Sequence, residues 1–141
     1  MRVSDIMTPN PATIKPDDTL QDAITLMESC GSRHLPVIDD DGKLVGIISD
    51  RDCRLALNSP TAMRFTWQDE EVTNRTSVLA MMTPAPITIQ KDAPIQQAAE
   101  LMLTNHISAL PICDNDQLIG IVTSSDLLRQ LMQMGEHGKR S

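Results

Sequence analysis

An internal repeat constrains the fold of this 141-residue chain more than any other feature. Residues 7–38 align with residues 82–113 without a gap and share 13 identities over 32 positions. Chance at ordinary composition would give roughly two or three identities. Two copies are too few for a solenoid. We therefore expect the copies to pack on each other as a pseudo-symmetric pair, by the reasoning that makes two-fold dimers common.

Each copy predicts the order strand, helix, strand, strand, helix. Apolar residues between Leu20 and Met27 recur at the i, i+3, i+4, i+7 spacing of one helix face, and the second copy repeats that spacing from Ile95 to Met102. Thr19 and Asp22 have the spacing of a capping box. The runs LPVI and LVGIIS flank a polar turn and predict two strands, of which the second is apolar enough to be covered on both faces.

The alignment divides the chain into four segments. The two copies occupy residues 1–57 and 78–134, and they are joined by the polar, unrepeated linker 58–77. This linker contains both aromatic side chains of the protein, Phe65 and Trp67, and we expect one of them to dock on a neighbouring element. Residues 135–141 are expected to form a flexible tail.

Charge and composition exclude several classes of protein. A net charge of −7 repels a phosphate backbone, and scarce aromatic residues disfavour base stacking, so we expect no nucleic-acid partner. No apolar run reaches membrane-spanning length and the N-terminus has no signal-peptide pattern, so we expect no membrane association. Three scattered cysteines without a C-x-x-C pair indicate a reducing compartment, which predicts a cytoplasmic protein.

The end of the last strand carries the same polar pair in both copies. LVGIISDRD places Ser49 three residues before Asp52, and LIGIVTSSD places Thr123 three residues before Asp126. The start of a helix offers free N–H donors for a phosphate, while a nearby carboxylate can accept hydrogen bonds from a ribose diol. The pattern therefore fits a nucleotide site. It also fits a plain helix cap, which duplication would copy as readily.

The whole pattern is more specific than this motif. Both copies contain M-T-P-x-P-x-T-I, then L-M, then L-P-[VI], and finally L-[VI]-G-I-[IV]-[ST]-x-x-D. This combination resembles the CBS domain, named after cystathionine beta-synthase, and two such repeats resemble a CBS pair, or Bateman module. The resemblance implies an α/β (α+β) fold whose repeats pack sheet to sheet with pseudo-two-fold symmetry. It also implies clefts between the repeats that bind AMP, ADP, ATP, NAD or S-adenosylmethionine.

The resemblance assigns roles by position. Asp52 and Asp126 would bind ribose hydroxyls, and Ser49 and Thr123 would contact phosphate or ribose. The adenine pocket would be lined on one side by Thr13, Ile14, Thr88 and Ile89 and on the other by Leu35, Pro36, Leu110 and Pro111.

The two copies differ in charge near the motif. Arg33, His34 and Arg51 lie beside it in the first copy, whereas small residues replace them in the second. We therefore expect two unequal sites, with phosphates bound mainly by the first copy. The alternative is that each arginine is a solvated surface residue and that His34 has a packing role.

The residues also suggest two functions other than ligand binding. Ser49, His34 and Asp52 could be imagined as a catalytic triad, but the sequence has no nucleophile elbow, no P-loop, no G-x-G-x-x-G and no metal-ligand spacing. We therefore expect a non-catalytic module without a metal. The stronger rival is a dimerisation or protein-interaction module without a ligand, using apolar faces near Met81–Met82 and Met132–Met134. A homodimer and an unidentified protein target are expected in either case.

Overall fold

The computed structural model describes residues 1–57 and 75–140. Most of the expected linker, with Phe65 and Trp67, lies outside the described residues. In the described part, the helices are α1 (Val3–Ile6), α2 (Leu20–Cys30), α3 (Asp50–Leu57), α4 (Val78–Met81), α5 (Ile95–Asn105) and α6 (Ser124–Arg140). The strands are β1 (Thr8–Pro9), β2 (His34–Ile38), β3 (Leu44–Ser49), β4 (Thr83–Pro84), β5 (Ala109–Asp114) and β6 (Gln117–Thr123).

The strands form two three-stranded antiparallel sheets. One sheet has the order β2-β3-β4, and the other has the order β1-β6-β5. Each long hairpin, β2–β3 or β5–β6, is followed by a helix that begins at the end of its second strand. This arrangement confirms the predicted mixed α+β class.

The opening of each repeat differs from the predicted order. Ile14 makes one parallel bridge to Val37, and Ile89 makes one to Ile112, so the predicted first strand is reduced to a single bridge. Prolines at 11 and 16 flank this piece in the first repeat, and they cannot donate to a strand ladder. A short helix and a two-residue strand, which the pattern did not predict, precede the bridge in each repeat.

The described residues belong to two compact units. The first unit comprises Ala12–Pro86, and the second unit comprises Met1–Pro11 with Ile87–Ser141. Each unit therefore combines most of one repeat with the opening segment of the other repeat. The compact units are consequently offset from the sequence repeats by about the length of that segment.

We call the opening segments of the two repeats, residues 1–11 and 78–86, the exchanged segments. Each of them completes the sheet and the core of the unit that contains it. In the unit that contains Ala12–Pro86, β4 pairs with β3 so that Thr83 lies opposite Ile47. Val78 of α4 is fully buried with the first repeat's core residues. The other unit repeats this arrangement, because β1 pairs with β6 and Val3 is buried among core residues of the second repeat.

One glycine in each unit permits a close approach of the exchanged segment. A Cβ placed on Gly46 would lie 3.0 Å from the Thr83 carbonyl oxygen and 2.5 Å from the Met82 sulfur. The corresponding Cβ on Gly120 would lie 3.0 Å from the Thr8 carbonyl oxygen and 2.6 Å from the Met7 sulfur. Glycine is therefore required where the M-T-P segment crosses the strand.

Helices α2 and α6 test two local predictions. The Thr19 N–H donates to the Asp22 carboxylate at 3.0 Å, and the Asp22 N–H donates to the Thr19 hydroxyl at 3.2 Å, which confirms the predicted capping box. Helix α6 continues to Arg140, through residues for which the pattern predicts a flexible tail. None of the helices in the described ranges 1–57 and 75–140 has the length and hydropathy needed to cross a bilayer.

Candidate functional site

The junction of β3 and α3 joins Ser49 to Asp52. The Ser49 N–H and hydroxyl both donate to Asp52 Oδ2, at 2.8 and 3.0 Å. In return, the Asp52 N–H donates to the Ser49 hydroxyl oxygen at 3.1 Å. This reciprocal bonding is a capping box, and it fixes the carboxylate at the first turn of the helix through one of its two oxygens.

The junction of β6 and α6 has the same bonding in the other unit. The Thr123 N–H and hydroxyl donate to Asp126 Oδ2 at 2.9 and 3.1 Å, and the Asp126 N–H donates to the Thr123 hydroxyl at 3.4 Å. The second oxygen, Asp126 Oδ1, accepts a hydrogen bond from Arg129 Nη1 at 3.2 Å. The Asp126 side chain is 13% exposed, whereas Arg129 is 65% exposed.

The Asp52 carboxylate of the first unit forms no such ion pair with any residue of the described ranges 1–57 and 75–140. Leu55 occupies the helical position that corresponds to Arg129, and its side chain is exposed. Over residues 1–57 and 75–140, all hydrogen bonds of the Asp52 carboxylate go to Ser49. The nearby arginine, Arg54, pairs instead with Asp50 at 3.4 Å.

The start of β2 brings two predicted residues to this junction. His34 lies opposite Ser49 in the strand register, and the Arg33 carbonyl accepts a hydrogen bond from the Asp50 N–H at 2.9 Å. Burial lowers the pKa of His34 below its ordinary value, although the Asp50 and Asp52 carboxylates oppose this effect. His34 is therefore neutral at physiological pH, and positive charge at this junction comes from the arginines.

The other predicted residues of this unit lie around the same sheet. Arg51 is exposed on the first turn of α3, and Thr13 is half-buried beside β2. Ile14 and Leu35 are buried in the hydrophobic core, so a ligand contact from either would have to use the backbone. Pro36 is also buried, but side chains alternate along a strand, so it faces the opposite side of the sheet from Leu35.

The corresponding residues of the second unit are arranged in the same way. The Ile89 N–H donates to the Pro111 carbonyl at 3.1 Å, and the side chains of Ile89 and Leu110 belong to the core. Thr88 is exposed. It lines an open groove of about 700 Å³ at the turn end of the β5–β6 hairpin, together with Ile89, Gln90, Asp92, Ala93, Gln97, Cys113, Asn115 and Asp116.

The bonding at β3–α3 differs from that of a catalytic triad. In a triad the histidine receives the serine proton, whereas here the Ser49 hydroxyl donates to Asp52. The adjacent thiol is also unsuited to nucleophilic attack, because burial raises the pKa of Cys53 to about 11. No cluster of His, Cys, Asp or Glu with metal-binding geometry occurs among the residues that the structure describes.

Arg129 contacts the predicted site residue Asp126, and the sequence prediction did not include it. It follows Asp126 by three positions, and residues at this spacing on a helix are neighbours. The signal was therefore available once the helix had been predicted. It was overlooked because the basic residues of the first copy stand at different positions, Arg51 and Arg54.

Comparisons with known proteins identify the family. Residues 3–59 and 77–133 match the family model of the CBS domain. A CBS domain-containing protein of Dictyostelium discoideum is 38% identical over 135 residues, which cover 95% of this chain and 93% of that protein.

Two solved structures of 30% identity or more have the same fold. The crystal structure of CBSX2 from Arabidopsis thaliana in complex with AMP is 34% identical with a TM-score of 0.76, and the match covers 94% of this chain and 97% of that one. The CBS domain pair of protein MJ0100, in complex with 5′-methylthioadenosine and S-adenosyl-L-methionine, is 30% identical with a TM-score of 0.81, over 95% and 98% of the two chains. With both repeats matched by the family model and a fold shared with these pairs, the chain belongs to the CBS domain family, as a CBS pair or Bateman module.

Proposed function

We propose that this chain is a non-catalytic regulatory module that binds an adenosine-containing ligand through Asp52 and Asp126. The observation that carries the proposal is the same carboxylate at the same strand-to-helix junction in both units, fixed through Oδ2 by its own hydroxyl residue. Capping uses Oδ2, so Oδ1 is the oxygen that ribose hydroxyls would reach. The candidate ligands are AMP, ADP, ATP, NAD and S-adenosylmethionine.

The surroundings of each carboxylate fit the rest of such a ligand. Helices α3 and α6 begin at the junctions, and the partial positive charge at the start of a helix favours a phosphate. Arg51 directly precedes Asp52 in α3, and the Arg33 carbonyl accepts a hydrogen bond from the neighbouring Asp50 N–H. Ser108 and Ser125 occupy the corresponding positions in the other unit. A phosphorylated ligand is therefore expected to prefer the Asp52 site.

The related structures support the choice of ligand class. CBSX2 was crystallised with AMP, and the MJ0100 pair with 5′-methylthioadenosine and S-adenosyl-L-methionine. These three molecules share adenine and a ribose diol but differ at the 5′ position. A carboxylate that recognises the diol would accept all of them, so the common chemistry agrees with the role proposed for Asp52 and Asp126.

The test is isothermal titration calorimetry with AMP on Asp52→Asn and Asp126→Asn. Asparagine keeps an oxygen for the cap but loses the charge, and hydrogen bonds to a charged group contribute about 1.5–3 kcal/mol. Each variant should therefore lose one site or weaken it roughly ten- to a hundredfold. The expected cost in unfolding free energy is no more than about 1 kcal/mol.

Asp22→Asn is the matched control. Asp22 forms the same capping box with Thr19 at the start of α2. A variant there should lose a similar small amount of stability and bind AMP like the wild type. If all three variants bind AMP equally well, the carboxylates are only helix caps and the proposal is wrong.

A second candidate function, a dimerisation or protein-interaction module without a ligand, is favoured by one observation. Leu128, Leu131 and Met132 follow the spacing of a single helix face on α6 and are 61%, 63% and 72% exposed. Exposed apolar clusters of this kind mark interaction surfaces. If the wild-type chain binds none of the five candidate ligands, this function is the one that remains.

We also propose a cytoplasmic location, and the support for it comes from the same three cysteines as the sequence argument. Cys30, Cys53 and Cys113 are all free thiols in the structure. Thiols of this kind persist where glutathione and thioredoxin keep cysteines reduced.

A further inference from the structure

We propose that Arg129 competes with the ligand for Asp126, so that the Asp52 site fills first and the Asp126 site fills only at higher ligand concentration. Arg129 thereby becomes a specificity-determining residue that makes the two sites unequal. This inference rests on the proposed function, because it assumes that the carboxylates bind a ribose diol.

The Asp126 carboxylate can accept only a limited number of hydrogen bonds. Each carboxylate oxygen can accept about two hydrogen bonds. Oδ2 already accepts two, from the Thr123 N–H and hydroxyl at 2.9 and 3.1 Å. Oδ1 accepts one from Arg129 at 3.2 Å, which leaves it one position. A ribose diol donates two hydrogen bonds, so it can bind fully only after Arg129 has moved away.

Asp52 differs from Asp126 in the hydrogen bonds of its second carboxylate oxygen. Its Oδ2 is occupied by Ser49 in the same way, at 2.8 and 3.0 Å. In the part of the chain that the structure describes, no hydrogen bond to Oδ1 competes with a ligand, and Leu55 stands in the place of Arg129. Both positions on Oδ1 are therefore open to the diol.

Arg129 is expected to change the dissociation constant of the Asp126 site only moderately. Arg129 is 65% exposed, so it can leave Asp126 and remain solvated. Ion pairs between exposed residues contribute little, because water screens them and ordering the side chains costs entropy. Competition of this kind corresponds to about a two- to fivefold change in the dissociation constant. The effect is therefore a shift in the order of filling, and Asp126 remains a functional site.

The experiment measures AMP binding by isothermal titration calorimetry in the full chain carrying Asp52→Asn, which leaves only the Asp126 site. Arg129→Leu is then added, because leucine is the residue at the corresponding position of the first unit. The added substitution should tighten AMP binding about two- to fivefold. With 2′-deoxy-AMP, which can donate only one ribose hydrogen bond and needs only the position already open, the same substitution should produce little gain.

The reciprocal variant tests the same idea at the other site. In the chain carrying Asp126→Asn, Leu55→Arg should weaken AMP binding at Asp52 by a similar factor. Both substitutions lie at exposed helical positions, and circular dichroism checks that the helices are retained.

Each outcome decides the proposal. Unchanged AMP binding after Arg129→Leu would show that the arginine does not compete. Weaker or absent binding would show that Arg129 supports ligand binding itself, which also overturns the proposal. Equal gains with AMP and 2′-deoxy-AMP would show that the diol is not what Arg129 displaces. If wild-type protein binds none of the candidate ligands, the proposed function fails first, and the two failures are thereby distinguished.

Discussion

Asp52 and Asp126 each cap a helix, and the ligand-binding role that we propose would add a second task to the same side chain. Oδ2 closes a capping box with the preceding serine or threonine, while Oδ1 lies outside that box. Asp22 shows what the same motif does when it only caps a helix. The distinction between cap and ligand site therefore depends on which groups surround the second oxygen, and the neighbours Leu55 and Arg129 differ there.

At the same scale, His34 predicts a pH dependence of stability. Burial, with a contribution from Arg33, lowers its pKa from the ordinary value of 6.5, against the attraction of Asp50 and Asp52. Well above pH 6.5 the imidazole is neutral in both the folded and the unfolded chain and contributes no slope. As the pH falls below that value, the unfolded chain binds a proton that the folded chain resists, so stability falls until the pH passes the lowered folded-state pKa.

Urea denaturation across this range should therefore show a steeper loss of stability for the wild type than for His34→Gln. Glutamine cannot bind the proton, so it removes this contribution from the slope. A titration of the His34 ring by NMR would locate the folded-state pKa directly. Parallel pH profiles for the two proteins would contradict the prediction.

At the scale of elements, the M-T-P segment of each repeat is held by the other repeat's strand and loops. The Ala85 N–H donates to the Val45 carbonyl at 3.2 Å, and the Asn10 N–H donates to the Ile119 carbonyl at 3.1 Å. These bonds cover the outer edge of β3 and β6. The segments therefore protect strand edges that would otherwise be free to aggregate.

The close contact between Gly46 and the M-T-P segment predicts that a small substitution at this position lowers stability considerably. Gly46→Ala should destabilise the protein by about 1–3 kcal/mol, because the new Cβ would press on the Thr83 carbonyl as well as on the flexible Met82 side chain. Gly135→Ala is the control, since nothing lies within 4 Å of its Cβ and alanine favours a helix by up to about 1 kcal/mol. Urea denaturation measures both, and equal stability of Gly46→Ala and wild type would refute the tight crossing.

At the scale of the whole molecule, the exchange predicts which fragment folds. Residues 12–86 contain every member of one core, from Ile14 to Val78, and both partners of the β3–β4 pair. Residues 1–57, the repeat as the sequence delimits it, lack Val78 and β4. We expect fragment 12–86 to unfold cooperatively in urea with native-like circular dichroism, and fragment 1–57 to be largely unfolded. Cooperative unfolding of 1–57 alone would contradict this assignment.

Local pattern predicted much of each repeat. Helices α2 and α5, the β2–β3 and β5–β6 hairpins and the Thr19–Asp22 cap all follow from contacts between residues close in sequence. The burial of Ile14 and Leu35 in the core could also have been foreseen, because large aliphatic side chains are among those most often buried. The motif predicted where Asp52 and Asp126 stand in the chain. It did not predict which hydrogen bonds each carboxylate accepts.

The amino-acid sequence by itself determined the repeat, its family, its main helices and hairpins, and the carboxylate at each strand end. Only the tertiary structure decided which repeat each M-T-P segment completes. The two copies carry nearly the same M-T-P and L-x-G-I motifs, so local complementarity fits a segment to its own repeat as well as to the other. The choice between them depends on contacts distant in sequence, which no local pattern distinguishes.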